Sequence, residues 1–213
     1  MGADTTPSGS RELKKRRTHD ELLRAGLDLF LTRGYEKTTV GDIAQRAEVS
    51  ERTFFRYFAN KEELVLRPLR DASHALLAEV KGRPPEEEPL EALRAGGMAA
   101  MRRVMAPTPE LYLNTLRVIG SEPEARAAVL RFGAEEQRDL AAVLAAREST
   151  EPGDLRPVLL AAAFTAAAIQ TTLSWEEGAD GTMASLEAMS EAHLTTLHEA
   201  VAVSWRREKP RQD

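Results

Sequence analysis

Apolar residues recur along this chain at three- and four-residue intervals. No stretch alternates strictly and no period repeats, so every predicted element is a helix. The densest cluster of helix starts lies between residues 38 and 64. Thr39 followed by Asp42 reads as a capping box, opening a helix that buries Val40, Ile43, Ala44 and Ala47. Val49 is the buried plug of the turn that follows. Ser50 caps a second helix over 51–58, and Asn60 with Glu63 opens a third. Three capped starts so close together describe a helix-turn-helix followed by a connecting helix.

On the second of these helices, Phe54 and Phe58 share a face and belong to the core. Arg52, Phe55 and Arg56 fall opposite, flanked by Thr53 and Tyr57. Arg takes a guanine edge with two hydrogen bonds, an aromatic ring presses on a thymine methyl, and hydroxyls hold phosphates. Such a helix, entered through the hydroxyl of Ser50, suits the major groove of DNA. A merely solvated charged face is the alternative that this helix alone leaves open.

Upstream, residues 1–13 are small and polar and are expected to form a disordered arm. The basic run 14–17, with Lys15 and Arg16 at its centre, then stands before a helix that Thr18 and Glu21 open as a capping box. That run either lies along the minor groove beside the reading helix or only solvates the chain. The first helix buries Leu22, Leu23, Leu27, Leu29 and Phe30 and stops at Gly34. Thr39 and Lys61 each sit at a helix N-terminus, where free N–H groups attract phosphate.

The connector runs over 61–80 with Pro68 inside it, where a lost hydrogen bond to the carbonyl of Leu64 predicts a kink. Such a kink serves as an effector-driven hinge or as a plain bend. GRPPEEEP (82–89) is a linker by its prolines and carboxylates. Five further helices are expected over 89–106, 110–119, 121–148, 155–176 and 182–206. The third of these shows an apolar stripe of Ala127, Leu130, Ala134, Leu140, Val143 and Leu144. The chain divides into a head, 14–60, and a body, 61–213.

In the body, Met98, Met101 and Met105 offer a soft, adaptable wall for a small molecule. Leu113, Leu116, Phe132, Phe164 and Trp175 add apolar or aromatic surface, and Asn114, Arg117, Gln170 and Thr171 could orient a polar group. Ordinary core packing is the competing reading for each. The last two helices, 155–176 and 182–206, look like an association surface. The first is dense in alanine; the second carries Met183, Leu186, Met189, His193, Leu197, Ala200 and Val201 at helical spacing and ends near Trp205. Paired across a two-fold axis they make a four-helix bundle and a homodimer.

Composition narrows the function classes. At 42% hydrophobic and 30% charged the chain reads as a soluble globular protein, and the absence of cysteine excludes disulfides, cysteine nucleophiles and thiolate metal sites. The longest apolar run, 158–169, is interrupted by Thr165 and too short for a bilayer. No signal-peptide core precedes the charges at the start, so a cytoplasmic protein without membrane partners is expected. A net charge of −5 argues against nucleic acid, but residues 11–70 carry +4 and the remainder −9, as a basic reader on an acidic body would.

The blocks LDLFLTRGYEKTTV, DIAQRAEVS, TFFRYF and NKEEL, in that order, make residues 18–64 resemble the tetracycline-repressor (TetR) family of transcriptional regulators. The resemblance implies a three-helix DNA-binding head, an all-helical effector and dimer domain, and a homodimer. Two positions depart from the family pattern. Glu48 stands where the turn usually has Gly, and Phe55 where the recognition helix usually has Tyr.

A small helical hydrolase and an adaptor for an acidic protein partner are the alternatives. His193 and His198, five apart, diverge around a helix and suit a shared metal poorly. No nucleophile elbow surrounds Ser185, Ser190 or Ser204, and no glycine-rich phosphate loop is present. The expectation is an all-α, non-enzymatic regulator without cofactor. It would act as a repressor, released from a palindromic double-stranded operator by a hydrophobic small-molecule effector.

Overall fold

The computed structural model describes residues 7–105, 107–178 and 180–201, and among them every regular element is an α-helix. The head comprises α1 (Pro7–Arg33), α2 (Val40–Arg46) and α3 (Glu51–Phe55). The helix α4 (Lys61–Gly82) leads into α5 (Pro89–Met105), α6 (Pro109–Ser121), α7 (Pro123–Arg147), α8 (Arg156–Gly178) and α9 (Met183–Val201).

α1 begins at Pro7, so residues 7–13 are helical and not part of the expected arm over 1–13, whose residues 1–6 lie outside the described ones. The residues from Glu12 to Arg17 are mostly good helix formers. Glu21 pairs with Arg17 at 2.8 Å instead of turning back on Thr18, so the capping box there is unused. α1 ends as expected. Gly34 takes φ +90° and its N–H reaches the carbonyl of Phe30 at 3.0 Å. Leu22, Leu23, Leu27, Leu29 and Phe30 are all buried.

The next two helices start where their caps direct. Thr39 and Asp42 form the reciprocal box, with Asp42 N–H on Thr39 Oγ1 at 3.1 Å and Thr39 N–H on Asp42 Oδ2 at 2.8 Å. Those hydrogen bonds hold the Asp42 carboxyl below its usual range. Ile43 and Ala44 are fully buried, while Val40, Ala47 and Val49 pack against the core half-buried. Ser50 caps α3 through Thr53 N–H at 3.2 Å. α3 is shorter than the expected 51–58: the N–H groups of Arg56 and Tyr57 reach back only three residues, so the last turn tightens after Phe55. Phe54 and Phe58 are nonetheless both buried, as their spacing requires.

Head and body share one apolar cluster. It runs from Leu22, Phe30 and Phe54 through Leu64 and Leu66 to Leu113, Ile119 and Phe132. α4 carries Pro68 in its interior and packs on both α5 and α7. The segment after α4 is strapped down: Arg147, itself buried, donates to the carbonyls of Pro84 and Glu87 at 2.7 Å, and Arg83 pairs with Glu87. On α7 the expected stripe is wrong in its first half. Ala125, Ala128, Val129, Phe132 and Gly133 turn inward, and Leu130 is exposed. Alanines on both faces of that half gave the period no preferred side. A Cβ on Gly133 would stand 2.5 Å from Ile169 Cδ1, so glycine permits the close α7–α8 approach.

The stripe of α9 also differs from expectation. Leu186 and Leu194 are buried, and Met183, Met189 and Leu197 pack half-buried against the protomer's own core. That side therefore faces inward rather than towards a partner. Arg206 and Trp205 lie outside the described residues. In α8, the stretch Arg156–Trp175 is long and apolar enough to cross a membrane by length and composition, more than the run 158–169 suggested. Ala161, Phe164 and Trp175 are buried, and the helix packs against α6, α7 and α9.

Glu48 sits at φ 54°, the left-handed region, in the turn between α2 and α3. A Cβ there costs about 1 kcal/mol. Glu48→Gly is therefore expected to stabilise the fold by roughly 0.5–1 kcal/mol in urea unfolding, offset in part by glycine's chain entropy. A loss of stability would show that the side chain contributes more than the strain removes.

Candidate nucleic-acid interface and interior cavity

α3 presents its polar face to solvent. Arg52 and Arg56 are exposed, Phe55 is 54% exposed, and neither arginine enters an ion pair among the described residues. Arg56 lies over the half-buried ring of Tyr57 at 5.2 Å, a cation–π contact that holds it near the helix. The exposed Phe55 ring leaves apolar area in water unless something covers it, while the two arginines keep hydrated donors free of ion pairs. The geometry matches base-edge hydrogen bonding with an apolar contact alongside.

The hydroxyls around this face differ in what they have left to give. Ser50 Oγ and Thr53 Oγ1 lie 3.0 Å apart and share one hydrogen bond, leaving one proton of the pair for a phosphate. Thr39 Oγ1 already donates to Asp42 Oδ2 at 2.6 Å. Its proton is committed to the cap, so a phosphate there would meet backbone N–H groups first. The Glu51 carboxylate lies over Gly41 at the start of α2, where a Cβ would meet Oε1 at 2.9 Å. Glu51 is exposed, with its carboxylate close to the start of α2. Lys15 and Arg16 are exposed within α1, on the helix instead of on a run before it.

Lys61 departs from expectation. Its ammonium donates to the carbonyls of Tyr35 at 2.7 Å, Thr38 at 3.3 Å and Glu36 at 3.5 Å, and stands over the Tyr35 ring at 4.3 Å. All three protons are used inside the fold. The lysine clamps the corner between α1 and α2 and does not project toward a ligand. From the other side, Glu122 accepts the N–H of Tyr35 at 2.9 Å. Burial beside Glu62 and Glu124 pushes the Tyr35 phenol up to about 12. No residue pattern announced either clamp, because each joins positions far apart in the chain.

In the body, α4 to α9 enclose a cavity of about 190 Å³. α4 supplies Leu69, Ser73 and Leu76, α5 the three methionines 98, 101 and 105, and α6 Tyr112 and Leu116. α7 adds Val129, Phe132 and Glu136, α8 Phe164 and Ile169, and α9 Leu186 and Leu194. Of the expected lining residues, Met98, Met101, Met105, Leu116, Phe132, Phe164 and Thr171 are there. Leu113, Asn114, Arg117, Gln170 and Trp175 are not. Leu113 is spent in the core shared with the head. Arg117 donates to Asn114 Oδ1 at 2.5 Å and Gly181 O at 3.3 Å, beside the Trp175 ring. Trp175 is buried outside the cavity with Nε1 on Ser185 Oγ, and Gln170 is exposed and bonds Ser174. Adjacent helix positions diverge by about 100°, so period alone did not assign them a side.

The wall holds polar groups the sequence reading missed. Glu136 follows Phe132 by four positions on the inward face of α7, a spacing that marks it. Burial pushes its carboxyl up to about 7, with Asp139 and Glu135 adding to the shift and Arg70 opposing it. Ser73 Oγ is buried with no hydrogen-bond partner among the described residues. Tyr112 is half-buried against the core, and desolvation raises its phenol above the usual value.

Lys61→Ala removes three charge-assisted hydrogen bonds and the ring contact. It is expected to cost roughly 1–3 kcal/mol in urea unfolding. Nucleic-acid binding should weaken equally on every sequence, because the α2 N-terminus loses its support. Unchanged stability would show that the corner holds without the clamp.

Two family models match the chain: the tetR family of bacterial regulatory proteins over residues 22–67, and the MftR C-terminal domain over 87–202. The transcriptional regulator TcmR of Streptomyces glaucescens is 37% identical over 211 residues, 95% of this chain and 93% of that one. Among solved structures, NalD of Pseudomonas aeruginosa, the secondary repressor of a multidrug efflux pump, superposes with a TM-score of 0.58 at 22% identity. The match covers 86% of this chain and 96% of that one. The complex of SmeT with triclosan, SmeT being the repressor of a Stenotrophomonas maltophilia efflux pump, gives a TM-score of 0.57. It is 16% identical and covers 92% and 100%. With both models matched in order along the chain and a relative aligned over nearly its whole length, the protein belongs to the TetR family of bacterial transcriptional regulators.

Proposed function

We propose that this regulator is a homodimeric repressor that grips a palindromic operator and lets go when a mainly hydrophobic small molecule fills its cavity. The observation that carries the reading is α3: a capped helix with two unpaired guanidinium groups and an exposed phenylalanine, mounted on a head of positive charge. Arg52 and Phe55 meet base edges. Ser50, Thr53, Arg56 and Tyr57, with Lys15 and Arg16 from α1, meet the backbone. Thr39 contributes through the α2 N-terminus, and Lys61 acts by holding the corner in place.

A single five-residue helix reads few base pairs, so two heads about 34 Å apart are needed to read a palindrome. The exposed apolar side chains Leu155, Val158 and Leu159, at the start of α8, support pairing through α8 with the small outer residues of α9. The same exposed side accounts for a helix apolar enough for a bilayer in a protein that works on DNA in the cytoplasm. The cavity supports the ligand: its wall is adaptable methionine and leucine with a few polar groups. That the SmeT relative was solved with triclosan is consistent with such a cavity being occupied.

Binding to operator DNA should fall steeply with salt, log K dropping by about 0.9 for each phosphate neutralised. Arg52→Ala is expected to cost about 1–3 kcal/mol and to relax preference at one base position per half-site. Electrophoretic mobility shifts on singly substituted operators check this. Equal loss on every sequence would remove Arg52 from the bases, and salt-independent binding would remove DNA as the partner.

A further inference from the structure

The cavity wall is apolar apart from a few polar groups, and Glu136 is the charged residue among those that line it. Its neighbour Glu135 is satisfied by Arg70 at 3.2 Å, and Arg70 also covers the Phe132 ring at 4.7 Å. Glu136 has no hydrogen bond or ion pair among the described residues. The wall also includes, from α4, the buried Ser73 hydroxyl, without a partner among the described residues. A buried hydroxyl without a partner and a half-buried carboxyl that no described protein group pairs, on two different helices, therefore line one largely apolar space. The hydroxyl costs free energy until something hydrogen-bonds it, and burial disfavours the charged form of the carboxyl until a cation meets it.

From these groups we infer that the ligand is an amphiphilic monocation, an apolar scaffold bearing one protonated amine that pairs with Glu136 while a second polar substituent meets Ser73. The inference deepens the reading of the cavity and rests on it for the ligand site, though not for DNA binding. An ammonium gives Glu136 a charge-assisted hydrogen bond beside a largely apolar wall. A neutral apolar ligand leaves it bare, and an anion meets like charge. The charged groups around it are Arg70 from α4, already taken, and Glu135 and Asp139 on α7 itself. The lining residues of α5, α6, α8 and α9 carry no formal charge, and His193 of α9 is engaged with Thr171 at 2.7 Å. The free carboxyl sits near 7, so a bound cation must draw it into the ionised form and displace its proton. Because Ser73 is on α4 and Glu136 on α7, such a ligand ties the helix that carries the head to the helix that braces it.

The test uses matched ten-carbon probes, decylamine, decan-1-ol and decanoate, below their micelle concentrations. Each is titrated calorimetrically into the full chain at pH 6 and pH 8, with Glu136→Gln and Ser73→Ala alongside. At pH 8 decylamine should bind at least tenfold more tightly than decanol, and decanoate more weakly than both. Taking the pH from 8 to 6 should weaken decylamine about tenfold, as the carboxyl protonates through 7, with proton release into the buffer at pH 6. In Glu136→Gln, confirmed folded by cooperative unfolding, the amine preference and its pH dependence should vanish. Ser73→Ala should keep the preference. The inference is overturned if wild type binds decanol or decanoate as tightly as decylamine, if it binds none of the three, or if Glu136→Gln keeps the preference. Salt-dependent DNA binding on the same preparation is read separately, so the regulator reading can stand when the ligand class fails.

Discussion

The corner between α1 and α2 is where the head is held to the rest of the molecule. A chain that turns there exposes the carbonyls of Tyr35, Glu36 and Thr38 without helical partners, and one ammonium, Lys61, collects all three. A backbone N–H at the same corner is collected by Glu122, where α6 passes into α7. Thr38 closes the corner from inside, donating its hydroxyl to Gly34 O at 2.9 Å. Such groups are costly to bury unpaired, so they fix the direction in which α2 leaves and therefore where α3 points.

α7 carries that constraint into the body. Along one helix, Glu122 holds the corner, Arg131 pairs with Glu62 at the start of α4, and Glu135 pairs with Arg70 further along α4. These pairs are largely exposed and individually worth little. Their value is geometric, since they repeat between the same two helices. The opposite side of α7 lines the cavity through Val129, Phe132 and Glu136. Whatever changes the packing of α7 against α4 therefore acts on the support of the head directly. A packed core that cannot deform smoothly passes such a change on as a shift of whole helices.

Local chemistry made the head legible. The caps at Thr39, Ser50 and Asn60, the i, i+4 pair Phe54 and Phe58 and the left-handed Glu48 are each decided within a few residues, and each stands as read. Local reading failed where two local rules competed. Thr18 and Glu21 could cap, but the helix formers before them extend α1 instead. Phe55 to Phe58 could continue α3, but three-residue hydrogen bonds tighten the turn. In the body, where alanine covers several faces, the first half of α7 turned inward a side the periodicity did not select, while the apolar stripe of α9 was the right one but packs on its own protomer.

The sequence by itself determined that the chain is helical, where the reading helix starts, which of its faces is buried, and the family those blocks belong to. These follow from hydrogen bonds and spacings within a turn or two of helix. Only the tertiary structure decided that Lys61 and Glu122 are clamps, that Leu113, Arg117, Gln170 and Trp175 lie off the cavity while Glu136 and Ser73 face it, and that the inner side of α9 is spent on its own protomer. Most of these depend on which residue another element brings opposite, 26 positions away for Lys61 and Tyr35 and 87 for Glu122 and Tyr35. Helical period fixes a direction around one axis, but it is silent on what the neighbouring helix brings to meet it.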